Sequence, residues 1–281
     1  MAEILFPTRR WKLPDARLLT GGGLLSIFLI LAIVGPLVAP YDPNAQDLMA
    51  ALDPPSASHW LGADQIGRDI LSRLIVGTRY TLSITIVSVG AATVIGVALG
   101  SVGAFFGGYT DRILTGVVDL LLTIPNLVLA IAIAAAVGAS PEGLTVAITA
   151  SFVPSLAILV RSRVLELREE DFVSAAVTVG TTPFRVLLRH VLPNAVGIIT
   201  IETSLLAGQA VLVASALGFL GLGVQPPAPE WGAMLGESRE ALEVAPHLVI
   251  APGIAISLLV FAFNTLGDGL RDHFDPKMQH W

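Results

Sequence analysis

The residues that could carry out chemistry are few and scattered in this 281-residue chain. Nucleotide hydrolysis by a P-loop needs a lysine directly after a glycine-rich turn, because the ammonium group must reach the phosphates. The only lysines, Lys12 and Lys277, lie in no such context. The five histidines show no close pair at metal-ligand spacing, and there is no cysteine. The sequence therefore excludes P-loop hydrolysis, zinc-thiolate sites and disulfide frameworks, and we expect a non-catalytic chain without a cofactor of its own.

Two acids, Asp119 and Glu202, stand out because their surroundings are apolar. A charge inside a membrane is costly, so such a residue is a candidate for function. The structural alternative is a position near the inner membrane face, where the carboxylate is paired or hydrated. Ion-coupled carriers use polar groups clustered near the midplane, together with broken helices, and the sequence indicates neither. We therefore expect the energy for any transport to come from another protein.

The composition indicates an integral membrane protein. Apolar residues make up 54% of the chain, charged residues 14%, and the mean hydropathy is +0.77, whereas soluble domains carry about 25% charged residues. Charge disappears over six stretches that can each hold a membrane-spanning helix, which needs about 20 apolar residues. The predicted transmembrane helices cover residues 18–39, 80–106, 113–138, 143–161, 195–222 and 246–267.

Positive charges predict the orientation, because lysine and arginine accumulate on the cytoplasmic side. With the N-terminus inside, twelve such residues fall in cytoplasmic segments and four in outer ones. The first apolar stretch is longer than that of a cleaved signal peptide, which favours a membrane anchor that is retained in the protein. The predicted organisation is a cytoplasmic N-terminal segment (1–17), a first transmembrane helix (18–39), an external loop (40–79), a five-helix core (80–267) and a cytoplasmic tail (268–281). The end of the external loop suits an interfacial helix.

Small residues recur at every fourth position of the second predicted span. Such a stripe makes one flat helix face against which another helix can pack closely. We expect packing within the chain, and a seam between subunits is the open alternative. The residues are Ser88, Ala92, Gly96, Gly100, Ala104 and Gly108.

A polar segment with the sequence SAAVTVGTTPFRVLLRHVLPN, residues 174–194, separates the fourth and fifth spans. The preceding pattern from residue 161 predicts one amphipathic helix that ends at Gly180, since glycine tolerates the left-handed conformation of a helix C-terminus. Thr181 or Thr182 can cap a second helix, with Pro183 at its first position. The second helix runs to about residue 191, and Pro193 leads into the fifth span. The product is a bent protrusion suited to a groove in another protein.

This segment resembles the cytoplasmic loop of ATP-binding-cassette importer permeases. The family signature is E-A-A, three residues, Gly, nine residues and I-x-L-P. Ser174 replaces the leading Glu, which removes a charge that could bond the ATPase, and His190 stands at the Ile position, as is common in the dipeptide/oligopeptide branch. The other matching positions are Ala175, Ala176, Gly180, Leu192 and Pro193.

Four further stretches resemble the dipeptide, oligopeptide and nickel branch of this family, in the same order along the chain. They begin at His59, Asp119, Leu217 and Phe263, and they indicate the C-type permease of the pair. The resemblance implies an all-α membrane protein with six transmembrane helices, the type I importer permease fold and a coupling-helix loop at 162–194. The implied docking residues are Ser174, Ala175, Ala176, Gly180, Thr182, Pro183, His190, Leu192 and Pro193.

The resemblance also implies partners. They are a homologous permease in a heterodimer, two cytoplasmic ATPases that bind ATP and Mg²⁺, and an external or periplasmic solute-binding protein that meets the outer loops. The chain would be a multi-pass protein of the inner or plasma membrane with both termini cytoplasmic. The pore wall would involve the third and fifth spans. Peptides are the expected substrates; nickel chelates, glutathione or oligosaccharides are the alternatives within the branch.

Two other classes of function remain open from the residues alone. A stand-alone secondary carrier or channel gains support from Asp119 and Glu202, and loses it because no broken helix is indicated. A membrane scaffold explains the stripe of small residues but not the bent protrusion. The net charge of −6 is not typical of nucleic-acid binding.

Overall fold

The computed structural model describes residues 16–274, and this part of the chain is α-helical without a β-strand. The predicted all-α fold is thereby confirmed. Arg9, Arg10, Lys12 and Lys277, which contributed to the predicted orientation, lie outside the described residues. The helices are α1 (Ala16–Val38), α2 (Ile70–Phe106), α3 (Gly108–Leu122), α4 (Asn126–Val137), α5 (Pro141–Arg168), α6 (Asp171–Thr178), α7 (Pro183–Val186), α8 (Leu192–Phe219), α9 (Trp231–Glu237) and α10 (His247–Phe274).

Five helices in the described range are long and apolar enough to cross a membrane: α1, α2, α5, α10 and the unit formed by α7 and α8. A sixth span results if α3 and α4, which meet at an angle of 94°, are taken together. The prediction that no span is broken was therefore wrong. Pro125 has no N–H to donate and disfavours helical backbone in the residue before it. The Thr123 hydroxyl instead donates to the Leu120 carbonyl oxygen, 2.6 Å away.

The second span starts earlier than the apolar pattern indicated. α2 begins at Ile70, inside the segment expected to be external, and continues without a break to Phe106. Asp69 caps it, because its carboxylate accepts a hydrogen bond from the Ser72 backbone N–H at 2.8 Å. The expected interfacial helix is thus the first part of α2.

The stripe of small residues packs within the chain, as expected. α2 and α5 approach so closely that a Cβ atom on Gly100 would lie 2.3 Å from the Ala157 carbonyl oxygen, and one on Gly96 would lie 2.6 Å from the Leu156 Cβ. Ser88, Ala92 and Ala104 on the same face are fully buried. Gly108 does not belong to this face, because it is exposed at the start of α3.

The connections at one end of the bundle, residues 39–69 and 220–246, are joined by a buried charged cluster. The Arg73 guanidinium reaches Glu237 Oε2 at 3.1 Å and the backbone carbonyls of Pro43 and Pro227 at 3.4 Å each. Arg68 bonds Glu237 Oε2 at 2.8 Å. We call this side of the bundle the loop end.

A second carboxyl is buried at the loop end, at the start of α9. Glu230 is fully buried and caps α9 by accepting from the Ala233 N–H at 2.8 Å; the Thr81 hydroxyl also donates to it, at 3.1 Å. Burial raises the pKa of the Glu230 carboxyl above its usual value. This side chain therefore connects α9 to α2.

Candidate functional site

The segment from the end of α5 into the first turn of α8, residues 169–194, forms a bent protrusion at the end of the bundle opposite the loop end. We call it the elbow. It does not begin as the predicted single helix from residue 161 to 179, because α5 ends at Arg168 and α6 starts at Asp171. Glu170 between them is extended, with φ −74° and ψ 147°. Three successive acids explain the break, since acidic side chains favour the first turn of a new helix and oppose the last turn of the old one.

Arg168 fixes the start of the elbow to the end of α2. Its Nη1 atom donates to the carbonyl oxygens of Ala104 at 3.2 Å and Phe105 at 3.4 Å. These carbonyls belong to the last turn of α2, where no helical N–H is available to them. The elbow therefore has a fixed base.

The turn after α6 has the geometry predicted for Gly180. Its φ is +83°, and its N–H donates to the Val177 carbonyl oxygen at 2.9 Å. The Thr181 N–H donates to the Ala176 carbonyl oxygen at 3.1 Å. This pair of bonds defines a Schellman motif, which ends a helix at a left-handed residue. No atom lies within 4 Å of the position of a Cβ on Gly180, so the backbone conformation, and not space, calls for glycine here.

The second arm of the elbow starts at Pro183 and continues directly into the membrane helix. Thr182 takes the N-cap position with extended backbone, φ −62° and ψ 143°, although its side chain makes no capping hydrogen bond. After α7 the chain forms one π-helical turn, Leu187–Val191, and passes into α8. Pro193 therefore lies inside a continuous helical segment instead of at a junction between two helices. The Asn194 side-chain amide donates to the His190 carbonyl oxygen at 2.6 Å.

The predicted docking residues divide between the surface and the interior. Ser174 and Ala175 are exposed, as are Gly180, Thr182, Pro183 and Pro193, whereas His190 and Leu192 are half-buried. Ala176 is 8% exposed, because the inner face of α6 turns it toward the bundle. In this structure Ala176 packs beneath the elbow and does not contribute to its outer surface.

A separate apolar cluster lies beneath the elbow and connects it to three membrane helices. It holds residues from the ends of α2, α5 and α8 together with the inner faces of α6 and α7, so a displacement of α6 presses on all of them. The buried members are Ala104, Val160, Val164, Leu167, Val173, Ala176, Val186, Leu187, Val191 and Ala195.

Large apolar side chains cover the outer surface of the elbow, and sequence reasoning did not single them out. Val179 is 81% exposed and Phe184 60%. Val177 and Leu188 are exposed as well. A groove next to them is lined by Phe105, Arg168, Val173, Ser174, Val177 and Pro183. This surface has the apolar character of a protein interface.

The two membrane acids occupy different surroundings. Asp119 is exposed on α3, one turn before the bend, and Glu202 is half-buried on α8. Near Asp119, α3 is fixed to α5 by a bidentate ion pair in which Arg161 Nε and Nη2 bond the two carboxylate oxygens of Asp111, each at 2.7 Å. Between residues 16 and 274, no three histidine, aspartate or glutamate side chains lie together as metal ligands would.

Comparison with known proteins identifies two family models on this chain. Residues 92–280 match the binding-protein-dependent transport system inner membrane component, and residues 18–55 match the N-terminal transmembrane domain of oligopeptide transport permease C. The first match contains the whole elbow, and the second covers α1 and the start of the loop that follows it.

Curated relatives are similar over almost the full length. The dipeptide transport system permease protein DppC of Alkalihalophilus pseudofirmus is 41% identical over 256 residues, which cover 91% of this chain and 84% of the relative. The glutathione transport system permease protein GsiD of Pectobacterium atrosepticum is 42% identical over 258 residues, covering 91% and 86%. GsiD of Escherichia coli is 39% identical over 254 residues, covering 90% and 84%.

Proposed function

This chain belongs to the family of binding-protein-dependent inner membrane transport components, as a permease subunit of an ATP-binding-cassette importer, and we propose that it forms half of a translocation pathway for peptides. The other half is a homologous permease in a heterodimer. The observation that carries the proposal is the elbow, whose exposed apolar surface is connected through a buried cluster to α2, α5 and α8. The stand-alone carrier is not favoured.

In this proposal the elbow docks on one of the two ATPase subunits of the complex. The elbow end then faces the cytoplasm, with both chain termini, and the loop end faces the external solute-binding protein. The bias of arginine and lysine toward the elbow side supports this orientation. ATP and Mg²⁺ are bound by the ATPases, and this chain contributes no catalytic residue.

The mechanism follows from the way the elbow is built. Closure of the ATPase dimer pushes on the outer faces of α6 and α7, and the Schellman turn at Gly180 keeps these two arms at a fixed angle. Because α7 runs through the π-helical turn into α8 without a break, movement of the elbow reaches the fifth span directly. Interfaces packed this tightly switch between discrete arrangements, which gives alternating access.

Peptides are the proposed substrates because two kinds of relative agree on the chemistry. The names of the relatives specify dipeptide and glutathione transport. Both molecules carry an α-ammonium group, at least one amide bond and at least one carboxylate on a short flexible backbone. Nickel chelates and oligosaccharides share less of this chemistry.

The test begins with purification of the chain from its native membranes in mild detergent, followed by mass spectrometry of the co-purifying proteins and small molecules. We expect a second permease, two ATPases and a peptide released from a solute-binding protein. Isolation of the chain alone, under conditions that preserve known complexes, together with uptake driven by an ion gradient, would contradict the proposal.

A further inference from the structure

One face of α8 carries polar groups along a helix that is otherwise apolar. Glu202 and Gln209 are seven residues apart, which is two helical turns, so they lie on the same side. Ile198 and Leu212, which share this side, are 39% and 51% exposed. The next face points inward, since Thr203 bonds the Thr93 hydroxyl of α2 at 3.1 Å. The face with Glu202 is therefore directed away from the packed interior of the chain.

Glu202 also lies deep along the helix. It is the eleventh of the 28 residues of α8, which places it about 5 Å from the helix midpoint at a rise of about 1.5 Å per residue. The structural alternative, a carboxylate at the inner end of the span, does not agree with this position. A carboxylate at such depth faces protein or water and not lipid, because lipid contact is costly.

Nothing in the described range neutralises this carboxylate. Between residues 16 and 274, Glu202 has no hydrogen bond and no ion pair, in contrast to Asp111, which is bound by Arg161. Its counter-charge must come from outside the described residues.

Two exposed amide side chains lie further along the bundle from the carboxylate, toward the loop end. Asn264 of α10 is exposed and lies against Gly208, where a Cβ atom would be 2.8 Å from Asn264 Oδ1. Gln209 is the next residue of α8 and is also exposed. These two amides lie about 10 Å along the helix axis from Glu202, a distance spanned by about three extended residues of a peptide. Glu202 thus offers a carboxylate that can bind an ammonium group. Gln209 and Asn264 offer amides that can form hydrogen bonds with a peptide backbone.

We propose that Glu202 binds the α-ammonium group of a peptide in transit, with Gln209 and Asn264 contacting its backbone. This inference rests on the proposed function and specifies a residue of the pathway. The occupant is a peptide cation in preference to a fixed cation of the second permease, because amides about 10 Å along the helix axis from the carboxylate match an extended peptide and not a single charged side chain.

The experiment uses the full complex, with the second permease, the ATPases and the solute-binding protein, reconstituted in proteoliposomes. Uptake of radiolabelled L-alanyl-L-alanyl-L-alanine is measured at saturating loaded binding protein, together with ATP hydrolysis. The variants are Glu202→Gln and Glu202→Asp, and the matched control is Glu142→Gln, which removes an exposed acid in the first turn of α5, outside the elbow and the loop end.

We expect Glu202→Gln to lower the maximal uptake rate about tenfold, since a hydrogen bond to a charged group is lost. The concentration of binding protein at half-maximal rate, subunit assembly and stimulated ATP hydrolysis remain unchanged. Glu202→Asp, which keeps the charge, retains most of the uptake, and Glu142→Gln behaves as wild type. A purely structural role would instead lower assembly and ATP hydrolysis together with uptake.

Two outcomes overturn the inference while the peptide importer stands. Wild-type uptake by Glu202→Gln would show that the carboxylate binds no substrate. Failure of Glu202→Gln to assemble with the second permease would identify a subunit cation as the partner of Glu202. Absence of trialanine uptake by the assembled wild-type complex would instead overturn the peptide assignment itself, and this inference with it.

Discussion

Asn194 donates a hydrogen bond from its side-chain amide to the carbonyl oxygen of His190, 2.6 Å away, where the elbow enters α8. Pro193 between them has no N–H, so the helix loses one backbone hydrogen bond at this place. The π-helical turn, in which the Leu192 N–H donates to the Leu187 carbonyl oxygen, and the Asn194 amide satisfy carbonyl groups next to the proline, as is typical of prolines in membrane helices. The second arm of the elbow and the fifth span are consequently one continuous helical segment.

Gly180→Val tests the angle between the two arms of the elbow. The left-handed conformation costs an ordinary residue about 1–2 kcal/mol, and a β-branched one resists it more strongly. Because no atom lies within 4 Å of the Cβ position, the effect is conformational. We expect the variant to insert and assemble but to lose ATP-driven uptake several-fold in proteoliposomes.

The control for this prediction is Gly180→Asn, since asparagine tolerates the left-handed region. It is expected to retain uptake close to wild type. Normal coupling of ATP hydrolysis to uptake by Gly180→Val would refute the role of the elbow angle.

Gly100→Ala tests the close contact between α2 and α5. The new methyl group would lie 2.3 Å from the Ala157 carbonyl oxygen, so the helices must separate, at a cost of about 1–3 kcal/mol. We expect a lower thermal unfolding temperature of the purified complex. Gly90→Ala on the same helix meets no atom within 4 Å and should leave that temperature unchanged or raise it. Equal effects of the two substitutions would contradict the packing described here.

Arg73→Met tests the charged cluster at the loop end. The Arg73 side chain is 1% exposed and bonds Glu237 at 3.1 Å, so its removal leaves a half-buried carboxylate with fewer partners. Breaking a buried ion pair costs about 3 kcal/mol or more. We expect a clear loss of thermal stability and faster proteolysis of the loops at this end. Arg239→Met, at an exposed position of the same loop, is the control and should have little effect.

Glu230 predicts a pH dependence of stability. Burial raises the pKa of its carboxyl in the folded state, so the folded chain binds this proton more tightly than the unfolded chain. The contribution of Glu230 is fully present below the unfolded value of about 4.3 and is lost as the pH rises through the folded value.

Thermal unfolding between about pH 5 and 8 checks this sign. Wild type should lose more stability toward high pH than Glu230→Gln, whose amide oxygen can still accept from the Ala233 N–H. The prediction fails if the two proteins show parallel pH profiles.

The membrane spans could be predicted because lipid imposes a strong, local constraint on composition. The charge-free stretches located all five long helices, and the elbow turn could be identified because a Schellman motif depends on a few neighbouring residues around Gly180. Pro125 was visible in the sequence as a possible helix break. A proline alone, however, does not distinguish a 94° bend from a proline tolerated inside a continuous helix, such as Pro252 in α10.

The features that sequence reasoning missed depend on packing between distant residues. The burial of Ala176 follows from the docking of α6 on α5, α7 and the π-helical turn, which the local pattern does not specify. The contact between Arg73 and Glu237 joins residues 164 positions apart, and neither apolar periodicity nor charge counting can pair them. The early start of α2 likewise depends on the Asp69 cap inside a polar segment.

Cross-linking can identify directly which protein contacts the elbow. Because the chain has no cysteine, Val179→Cys introduces a unique thiol at a site that is 81% exposed, and Val244→Cys does so at a site of the loop end that is 77% exposed. The two complexes are treated with a short bifunctional thiol cross-linker in native membranes. We predict that Val179→Cys is linked to an ATPase subunit and that Val244→Cys is not. A link from Val244→Cys to the ATPase, or none from Val179→Cys in an assembled complex, would contradict the assignment of the elbow as the coupling site.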